Sequence, residues 1–265
     1  MLSALMESDD LPSCPLTPAL EQLHGSRFGL RMPCVYANFV STVDGVVAFG
    51  HDYPDAGSAI SGQNTADRFL MGLLRACAEA VVLGAGTLRT TPGHRWTPGD
   101  VYPDAAEDFA VLRERLGRAP DPRLVVVTAS GDLDVEHPAL AGALVLTGDT
   151  GARRLEGRLP EDAELRSLGP AGTLSGAMIM EAVHADGHHV VLTEGGPRLI
   201  TELLRARVLD ELFLTVSPIL AGRSPGSSRV GLVDGLEYPP AELAWMRLLT
   251  VHRSADHLFL RYRLS

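Results

Sequence analysis

The chain has 265 residues, an apolar fraction of 45% and a formal net charge of −10, which fit a globular protein of one large domain or two small ones. Its apolar runs, such as residues 81–85, are far shorter than the ~20 residues that span a bilayer, so we expect no membrane segment. The acidic charge disfavours a nucleic-acid partner, because binding to phosphates needs a basic surface. Residues 1–18 lack the features of a secretory signal, so we expect a cytoplasmic protein.

Predicted strands and helices alternate along most of the chain. Residues 1–30 mix short apolar clusters with prolines and acidic residues, and we interpret them as an N-terminal extension of a domain over residues 31–265. Aliphatic runs predict strands. These runs cover residues 35–40, 46–49, 80–83, 124–127, 143–146, 190–193, 212–216, 243–252 and 257–264. Apolar residues at helical spacing predict helices over residues 64–77, 175–183 and 197–207, the first capped by Asn64.

This order of elements predicts the fold class. Alternation of strands and helices is typical of a mostly parallel sheet with helices on both faces. The last two strands are separated only by residues 253–256, which is too short for a crossover helix and predicts an antiparallel hairpin. We therefore predict an α/β fold whose mixed sheet has an antiparallel C-terminal edge. The glycine- and proline-rich stretches 91–103 and 222–240 are predicted to be surface loops.

The residue inventory restricts the chemistry. All 23 basic residues are arginines, which excludes any mechanism that needs a lysine. The three cysteines, Cys14, Cys34 and Cys77, have no CxxC spacing, which argues against both a disulfide framework and a thiolate zinc site. The adjacent His188 and His189 would point to opposite faces of a strand, so we predict no metal site. The site has to use carboxylates, histidines, arginines and hydroxyls.

Two glycine-containing turns follow predicted buried strands. One contains Gly84 and Gly86, and the other contains Gly195 and Gly196 ahead of Pro197, which suits the first position of a helix. Glycine lets a ligand approach the backbone, and the free N–H groups of a helix N-terminus favour phosphate. Neither turn matches GxGxxG or a Walker loop, so a purely structural role for these glycines stays open.

Three charged residues are candidates for the site. Glu194 follows a predicted parallel strand, at the end where open α/β sheets bind ligands, although a helix-capping carboxylate is the alternative. Asp44 is a candidate catalytic residue, but the Asp44-Gly45 pair is also ordinary turn chemistry. Arg75 lies on the predicted helix 64–77, where a solvated arginine is the alternative.

In combination these segments resemble a known family, the reductase domain of the bacterial riboflavin-biosynthesis deaminase-reductase. The resemblance begins near Met32 and continues to the C-terminus. It is carried, in chain order, by Ser41-Thr-Val-Asp-Gly45, Leu74-Arg75, Gly84-Ala-Gly-Thr87, Val125-Val-Val-Thr-Ala-Ser130, Thr193-Glu-Gly-Gly196, Val208-Leu-Asp-Glu-Leu212 and Pro218-Ile-Leu-Ala-Gly222. It implies a three-layer α/β/α fold like that of dihydrofolate reductase, and a homodimer that reduces a ribosylamino-pyrimidine phosphate with NADPH.

The resemblance also implies roles for individual residues. The implied cofactor-binding positions are Val40, Gly84, Ala85, Gly86, Thr87, Thr128, Ala129, Ser130, Gly195, Gly196, Pro197, Arg198, Leu199 and Ile200. The implied substrate-binding residues are Asn38, Arg75, Arg95 and Glu194, and the implied catalytic residues are Glu194 and Asp44. Glu194 would hydrogen-bond the sugar or assist proton delivery, whereas the hydride chemistry belongs to the nicotinamide.

The sequence departs from the family pattern at three places. Asn38 stands where a lysine is common, and Thr90-Thr91-Pro92 where two aspartates precede the proline. Asp132 stands where an arginine is common, and it would repel a 2′-phosphate that it faced. Two alternatives therefore stay open: a reductase of dihydrofolate-like or other small heterocycles, and a non-catalytic nucleotide-binding relative. The deaminase signatures HxE and PCxxC do not occur in this sequence, so we expect no deaminase activity.

Overall fold

A ten-stranded sheet passes through the middle of the molecule, in a computed structural model that describes residues 1–50, 53, 55–170 and 174–264. The strands are β1 Ser3–Glu7, β2 Cys34–Thr42, β3 Val46–Ala48, β4 Ala80–Gly84, β5 Arg123–Thr128, β6 Leu144–Thr147, β7 Glu164–Ser167, β8 Val190–Thr193, β9 Glu211–Ser217, β10 Val230–Gly231, β11 Met246–Ser254 and β12 His257–Leu264. The helices are α1 Pro18–His24, α2 Ala56–Ser61, α3 Thr65–Cys77, α4 Ala85–Thr90, α5 Pro98–Val101, α6 Ala106–Arg115, α7 Asp149–Leu155, α8 Gly176–Ala185 and α9 Pro197–Arg205.

The sheet is mixed and mostly parallel. Its strand order is β1-β11-β12-β9-β2-β8-β4-β5-β6-β7, and β3 pairs separately with β10. The strands from β9 to β7 in this order run parallel, whereas β12, β11 and β1 join through antiparallel pairs. The predicted α/β class, the mostly parallel sheet and the C-terminal hairpin are confirmed.

Two apolar layers cover the two faces of the sheet, because neighbouring residues of a buried strand point to opposite sides. Tyr36 packs in the layer that holds α3, whereas the adjacent Val35 packs in the layer that holds α8 and α9. Helices are thus present on both faces, as the predicted three-layer architecture requires. The face that carries α3 is also the face on which the charged candidate residues meet.

Helix α3 begins and ends close to the predicted residues. The Asn64 side chain accepts hydrogen bonds from the N–H groups of Ala66 and Asp67, which stabilises the first turn. The buried stripe of the helix includes Leu70 and Leu74. The helix therefore packs firmly on the sheet, and its last turn carries Arg75 into the interior.

The N-terminal segment contributes to the same sheet and core. Strand β1 pairs with β11 and forms the edge, so the C-terminal hairpin is not the edge that we predicted. Leu2, Leu16 and Leu20 pack in the core layer on the α3 face. Sequence patterns missed β1 because its five residues are all half-buried or exposed and show no apolar alternation.

Two stretches that we predicted to be surface loops are partly regular. Residues 91–103 include α5 and the buried Trp96, and residues 222–240 include β10. Both regular pieces are very short, which leaves no periodic signal in the sequence. Among the described residues, no helix is both long and apolar enough to cross a membrane.

Candidate active site

Three predicted ligand-binding turns lie side by side at one edge of the sheet. Strands β8, β4 and β5 are neighbours and run parallel, so the turns that follow them emerge at the same edge. These turns contain Glu194 to Gly196, Gly84 to Thr87, and Thr128 to Ser130. The carboxyl ends of parallel strands are the usual ligand-binding edge of such sheets. The topology therefore brings the turns together.

Hydrogen bonds of the Thr193 side chain stabilise the turn after β8. Thr193 Oγ1 donates to the carbonyl of Val82 at 3.0 Å and accepts from the N–H of Gly195 at 3.2 Å. Helix α9 then begins after Gly196, and no side chain caps its N-terminus. A Cβ on Gly195 would lie 2.4 Å from Leu199 Cδ2, which explains the glycine by packing rather than by a ligand.

The turn after β4 leaves open space. Helix α4 begins after Gly84 with no side-chain cap, and a Cβ on Gly84 or Gly86 would meet no atom within 4 Å. The turns after β4 and β8 lie close together, as a Cβ placed on Gly196 would be 3.6 Å from Thr87 Oγ1. Uncapped N–H groups beside unfilled space are a suitable cradle for a phosphate-bearing cofactor.

Glu194 forms a buried ion pair with Arg75. Arg75 Nη2 donates to Glu194 Oε2 at 2.6 Å, and Nε lies 3.1 and 3.2 Å from the two carboxylate oxygens. The side chains are 1% and 7% exposed, respectively. Glu194 is therefore not a helix cap, and the alternative that we left open for it is wrong.

Arg75 is fully engaged inside the protein, so the solvated-arginine alternative is also wrong. Its Nη1 donates to the carbonyls of Arg95 and Thr97, each at 3.3 Å, and Nη2 lies 3.1 Å from His94 Nε2. Burial and the Arg75 charge lower the pKa of His94 to about 4, which keeps this imidazole neutral as an acceptor. Arg75 thus joins Glu194 to the segment 94–97, and in this arrangement it has no N–H left for a substrate.

Strand β2 brings Asn38 beside Glu194. Ala37 pairs with Thr193 in the parallel register and packs toward α8 and α9. The residues that follow them, Asn38 and Glu194, are therefore neighbours on the other face of the sheet, toward α3. Asn38 is buried, and Val40 is half-buried further along the same face. The amide that replaces the family's lysine therefore lies in the candidate site.

Asp44 stabilises a connection between two loops. Its carboxylate accepts from Thr42 Oγ1 at 2.7 Å and from the N–H groups of Ala221 and Gly222 at 3.0 and 2.7 Å. These hydrogen bonds, first that from the Ala221 N–H, hold the pKa of Asp44 far below its usual range. A carboxylate engaged in this way is unsuited to proton transfer at neutral pH, so the geometry favours the turn interpretation over a catalytic role.

The turn after β5 carries a cluster of opposite charges. Thr128 is buried, whereas Ala129 and Ser130 are exposed. Asp132 forms ion pairs with Arg89 at 2.7 Å and with Arg154 at 3.4 Å. The carboxylate that we expected to repel a 2′-phosphate is therefore flanked by two cations, and the cluster as a whole is positive.

The remaining predicted residues differ in accessibility. Arg95 and Arg198 are exposed, so their guanidinium groups can reach a ligand. Leu199 and Ile200 are buried in the core layer that holds α9, and their N–H groups already bond the carbonyl of Gly196. Their side chains therefore stabilise the helix rather than face the open turn. Within the described part of the chain, no group of three or more His, Cys, Asp or Glu side chains that could hold a metal ion comes together.

Sequence analysis missed a buried carboxyl group at Asp67. It lies on α3, and burial raises its pKa to about 6, with the Glu194 charge adding to the rise. The nearby Thr215 hydroxyl offsets this rise only in part. The available signal was position, because Asp67 lies three and seven residues before Leu70 and Leu74 and so falls on the buried stripe.

Solved structures with the same fold include reductase domains. The chain is similar to a pyrimidine reductase-like protein from Corynebacterium diphtheriae, with a TM-score of 0.71 and 20% identity over 94% of this chain and 99% of that one. For RibD from Acinetobacter baumannii the TM-score is 0.65 and the identity 18%, over 88% of this chain and 58% of that one. For a deaminase/5-amino-6-(5-phosphoribosylamino)uracil reductase from Thermotoga maritima the values are 0.62 and 20%, over 89% and 57%.

The chain therefore spans about three-fifths of the length of the last two proteins, 58% and 57%. At these identities the likeness establishes the fold and not the activity. No curated protein sequence is significantly similar to the chain. Residues 33–251 match the RibD C-terminal domain. Because this match covers most of the sequence, the chain belongs to the RibD C-terminal domain family.

Proposed function

We propose that the protein is an NADPH-dependent reductase of a ribosylamino-pyrimidine phosphate, of the 5-amino-6-(5-phosphoribosylamino)uracil reductase type. The observation that carries the proposal is the buried Glu194–Arg75 pair, which lies at the sheet edge beside two uncapped glycine turns. A buried carboxylate beside a cradle for the cofactor phosphates suits a substrate that carries hydroxyl groups. The neighbouring riboflavin-pathway proteins support the same substrate class.

The residues present fit a dinucleotide cofactor. The open space at Gly84 and Gly86 would let the cofactor approach the protein backbone closely. The uncapped N-termini of α4 and α9 would face the phosphates of the cofactor. Val40, on the face of β2 that holds Asn38, would line the cofactor from the substrate side. When bound, NADPH supplies the hydride. Arg75 would keep Glu194 in place, and Glu194 would orient the sugar of the substrate. The carboxylate of Glu194 would also serve as a proton acceptor.

NADPH rather than NADH is the proposed cofactor because of the cluster formed by Arg89, Asp132 and Arg154. A 2′-phosphate placed near Ser130 would compete with Asp132 for the two guanidinium groups. Both arginines are about half exposed, at 45% and 52%, so they can turn toward such a phosphate. Arginine–phosphate hydrogen bonds are charge-assisted and bidentate, which favours this exchange.

On the substrate side, Arg95 is the proposed ligand of the substrate phosphate. Its side chain is exposed, while its carbonyl is held by Arg75, so the backbone is anchored and the guanidinium is free to move. Asn38 would face the substrate with an amide, which can hydrogen-bond a pyrimidine ring without adding charge. Arg75 is better assigned to positioning Glu194 than to direct substrate contact.

A second candidate, a reductase of dihydrofolate-like or other small heterocycles, is favoured by Asp67. A carboxyl group with a pKa of about 6 remains partly protonated near neutral pH and can deliver a proton to a ring nitrogen. The two candidates differ in their proton source, since the ribosyl substrate would depend on Glu194 and the heterocycle on Asp67.

Steady-state NADPH oxidation with each substrate class decides between the candidates. We expect turnover of the ribosylamino-pyrimidine phosphate, lowered roughly 100-fold by Glu194→Gln and little changed by Asp67→Asn. Faster turnover of dihydrofolate, with the reverse sensitivity, would establish the second candidate. NADPH binding with no turnover of either class would leave only a nucleotide-binding role.

A homodimer is the proposed assembly, as the family resemblance implies. Leu243, Trp245 and Met246 are 52%, 80% and 41% exposed, and they border an apolar cavity of about 380 Å³ beside β12. Large exposed apolar side chains around such a cavity mark contact surfaces, and a twofold axis would let each copy cover the other. Light scattering after size-exclusion chromatography should show a dimer for the wild type and a monomer for Trp245→Glu; monomeric wild-type protein would contradict this.

A further inference from the structure

His94 is a polar side chain of the candidate active site that the sequence patterns did not indicate. Its Nε2 accepts a hydrogen bond from Arg75 Nη2 at 3.1 Å, and the same arginine nitrogen donates to Glu194 Oε2 at 2.6 Å. One guanidinium nitrogen therefore joins the imidazole to the carboxylate. A substrate bound at Glu194 lies beside the His94 ring.

The contact with Arg75 determines which nitrogen of His94 carries the proton. A guanidinium group only donates hydrogen bonds, so Nε2 is the unprotonated nitrogen of a neutral ring and the proton is on Nδ1. Burial and the Arg75 charge lower the pKa of His94 to about 4, which agrees with a neutral imidazole at neutral pH. His94 is half-buried, and its Nδ1–H makes no hydrogen bond to any residue that the structure describes. This N–H is therefore available to a ligand.

The ring of His94 has a fixed orientation. It packs edge-on against the buried Trp96, with ring centroids 4.8 Å apart. The backbone N–H of His94 donates to the carbonyl of Thr91 at 3.2 Å, and Arg75 Nη1 donates to the carbonyl of Arg95 at 3.3 Å. The Nδ1–H donor is thus ordered before a ligand arrives, which lowers the entropy cost of binding.

A second histidine anchors the same loop. His137 Nε2 donates to the carbonyl of Thr91 at 3.1 Å, and its Nδ1 accepts from the N–H of Ala139 at 3.2 Å. The ring is buried, with its centroid 6.0 Å from that of Trp96. Both nitrogens of His137 are engaged inside the protein, so this residue is structural, whereas His94 keeps one nitrogen for a ligand.

The two side chains that contact Arg75 offer complementary hydrogen-bonding groups. The Glu194 carboxylate only accepts, and the His94 Nδ1–H only donates. A hydroxyl group accepts and donates, so it satisfies both side chains, whereas a fully ionised phosphate only accepts. Arg95, the proposed ligand of the substrate phosphate, directly follows His94 in the chain. The hydroxyl groups of a ribosyl group would then lie between that phosphate and Glu194.

We propose that His94 is a substrate-binding residue, whose neutral Nδ1–H donates to a hydroxyl group of the ribosyl chain at the position where Glu194 accepts from that chain. This inference rests on the proposed ribosyl substrate and adds a residue to its site. The role is binding and not proton transfer, because the ring keeps its proton throughout. Such a contact is present in the ground state and in the transition state, so it acts on KM rather than on kcat.

Two amide substitutions separate contact with the substrate from support of Arg75. The amide nitrogen of asparagine reaches about the position of Nδ1, so His94→Asn keeps the donor and loses the acceptor for Arg75. The amide oxygen of glutamine reaches about the position of Nε2, so His94→Gln keeps the acceptor and loses the donor. We expect His94→Gln to raise KM roughly 10-fold with kcat within about 2-fold of the wild type, and His94→Asn to leave both within about 3-fold.

The kinetics are measured as NADPH oxidation with the ribosylamino-pyrimidine phosphate, and thermal unfolding followed by circular dichroism checks that each variant is folded. A higher KM for His94→Asn than for His94→Gln, equal effects of both, or no effect of either would overturn the role of His94 and leave the reductase activity standing. A loss confined to kcat would also overturn it, because a structural partner of Arg75 and Glu194 behaves in that way. Wild-type protein that does not turn over this substrate would overturn both proposals.

Imidazole ¹⁵N NMR of the free protein at neutral pH gives a test that does not depend on turnover. The chain has nine histidines, and the signals missing from His94→Gln belong to His94. We expect its proton on Nδ1, and a shift of that resonance when the ribosylamino-pyrimidine phosphate is added. His137 is the internal control, since its contact with the Thr91 carbonyl requires a proton on Nε2. A proton on His94 Nε2, a doubly protonated ring, or an Nδ1 resonance that substrate leaves unmoved would overturn the proposal.

Discussion

Replacing Glu194 by glutamine tests whether this residue has a catalytic or a structural role, but the substitution also breaks the ion pair with Arg75. The carboxylate is 7% exposed and Arg75 is 1% exposed, so the substitution leaves a buried cation without its counter-charge. Removing one partner of a buried pair costs about 3–5 kcal/mol. Arg75 keeps three neutral acceptors, the carbonyls of Arg95 and Thr97 and the ring of His94, so we expect the lower end, about 3 kcal/mol. For a protein of this size that is a fall in Tm of roughly 6–12 °C.

Turnover of the single variant is therefore ambiguous, and the double variant Arg75→Gln/Glu194→Gln is the matched control. A neutral amide pair restores hydrogen bonding without a buried charge, so the double variant should be more stable than the sum of the two single effects predicts, by about 2 kcal/mol or more. If the carboxylate acts on the substrate, turnover should stay roughly 100-fold below that of the wild type in both variants.

The assay is steady-state NADPH oxidation, run well below the lowest Tm so that each variant is folded. The free energies of unfolding of the wild type, both single variants and the double variant are measured by urea unfolding. Recovery of turnover in step with stability in the double variant would refute a chemical role for Glu194 and make it a purely structural partner of Arg75.

Three further predictions follow from the site. Gly86→Val should weaken NADPH binding by about 100-fold or more with an unchanged Tm, because its side chain enters open space; unchanged affinity in a cofactor titration would contradict the cradle. Arg89→Gln should weaken NADPH binding by roughly 10-fold and leave NADH binding unaltered; an equal loss for both cofactors would remove the 2′-phosphate assignment. Asp67→Asn should raise stability at neutral pH by up to about 3 kcal/mol. The folded-state pKa of Asp67, about 6, lies above its unfolded value, so wild-type stability is lost as pH rises from about 4 to about 6; a Tm difference between Asp67→Asn and wild type that is constant with pH would contradict the raised pKa.

Local sequence was sufficient for the elements that have strong local signals. Helix α3 has an Asn64 cap and an apolar stripe, and the hairpin of β11 and β12 has two long strands with a short turn between them. The turn after β8 could also be recognised, because Glu194 and its glycines directly follow an uninterrupted apolar run. These features depend on residues close to one another along the chain, so periodicity and turn chemistry report them.

The pairing of charges was decided only by the tertiary structure. Arg75 and Glu194 are 119 residues apart in the sequence, and nothing near either residue indicates that one neutralises the other. Asp44 reads equally well as a catalyst or as a turn residue until the loop at Ala221 approaches it, 177 residues later. Asp132 looks unfavourable for a 2′-phosphate until Arg89 and Arg154 are seen beside it. A side chain's chemistry depends on its desolvation and its charged neighbours, and the folded arrangement of distant segments determines both.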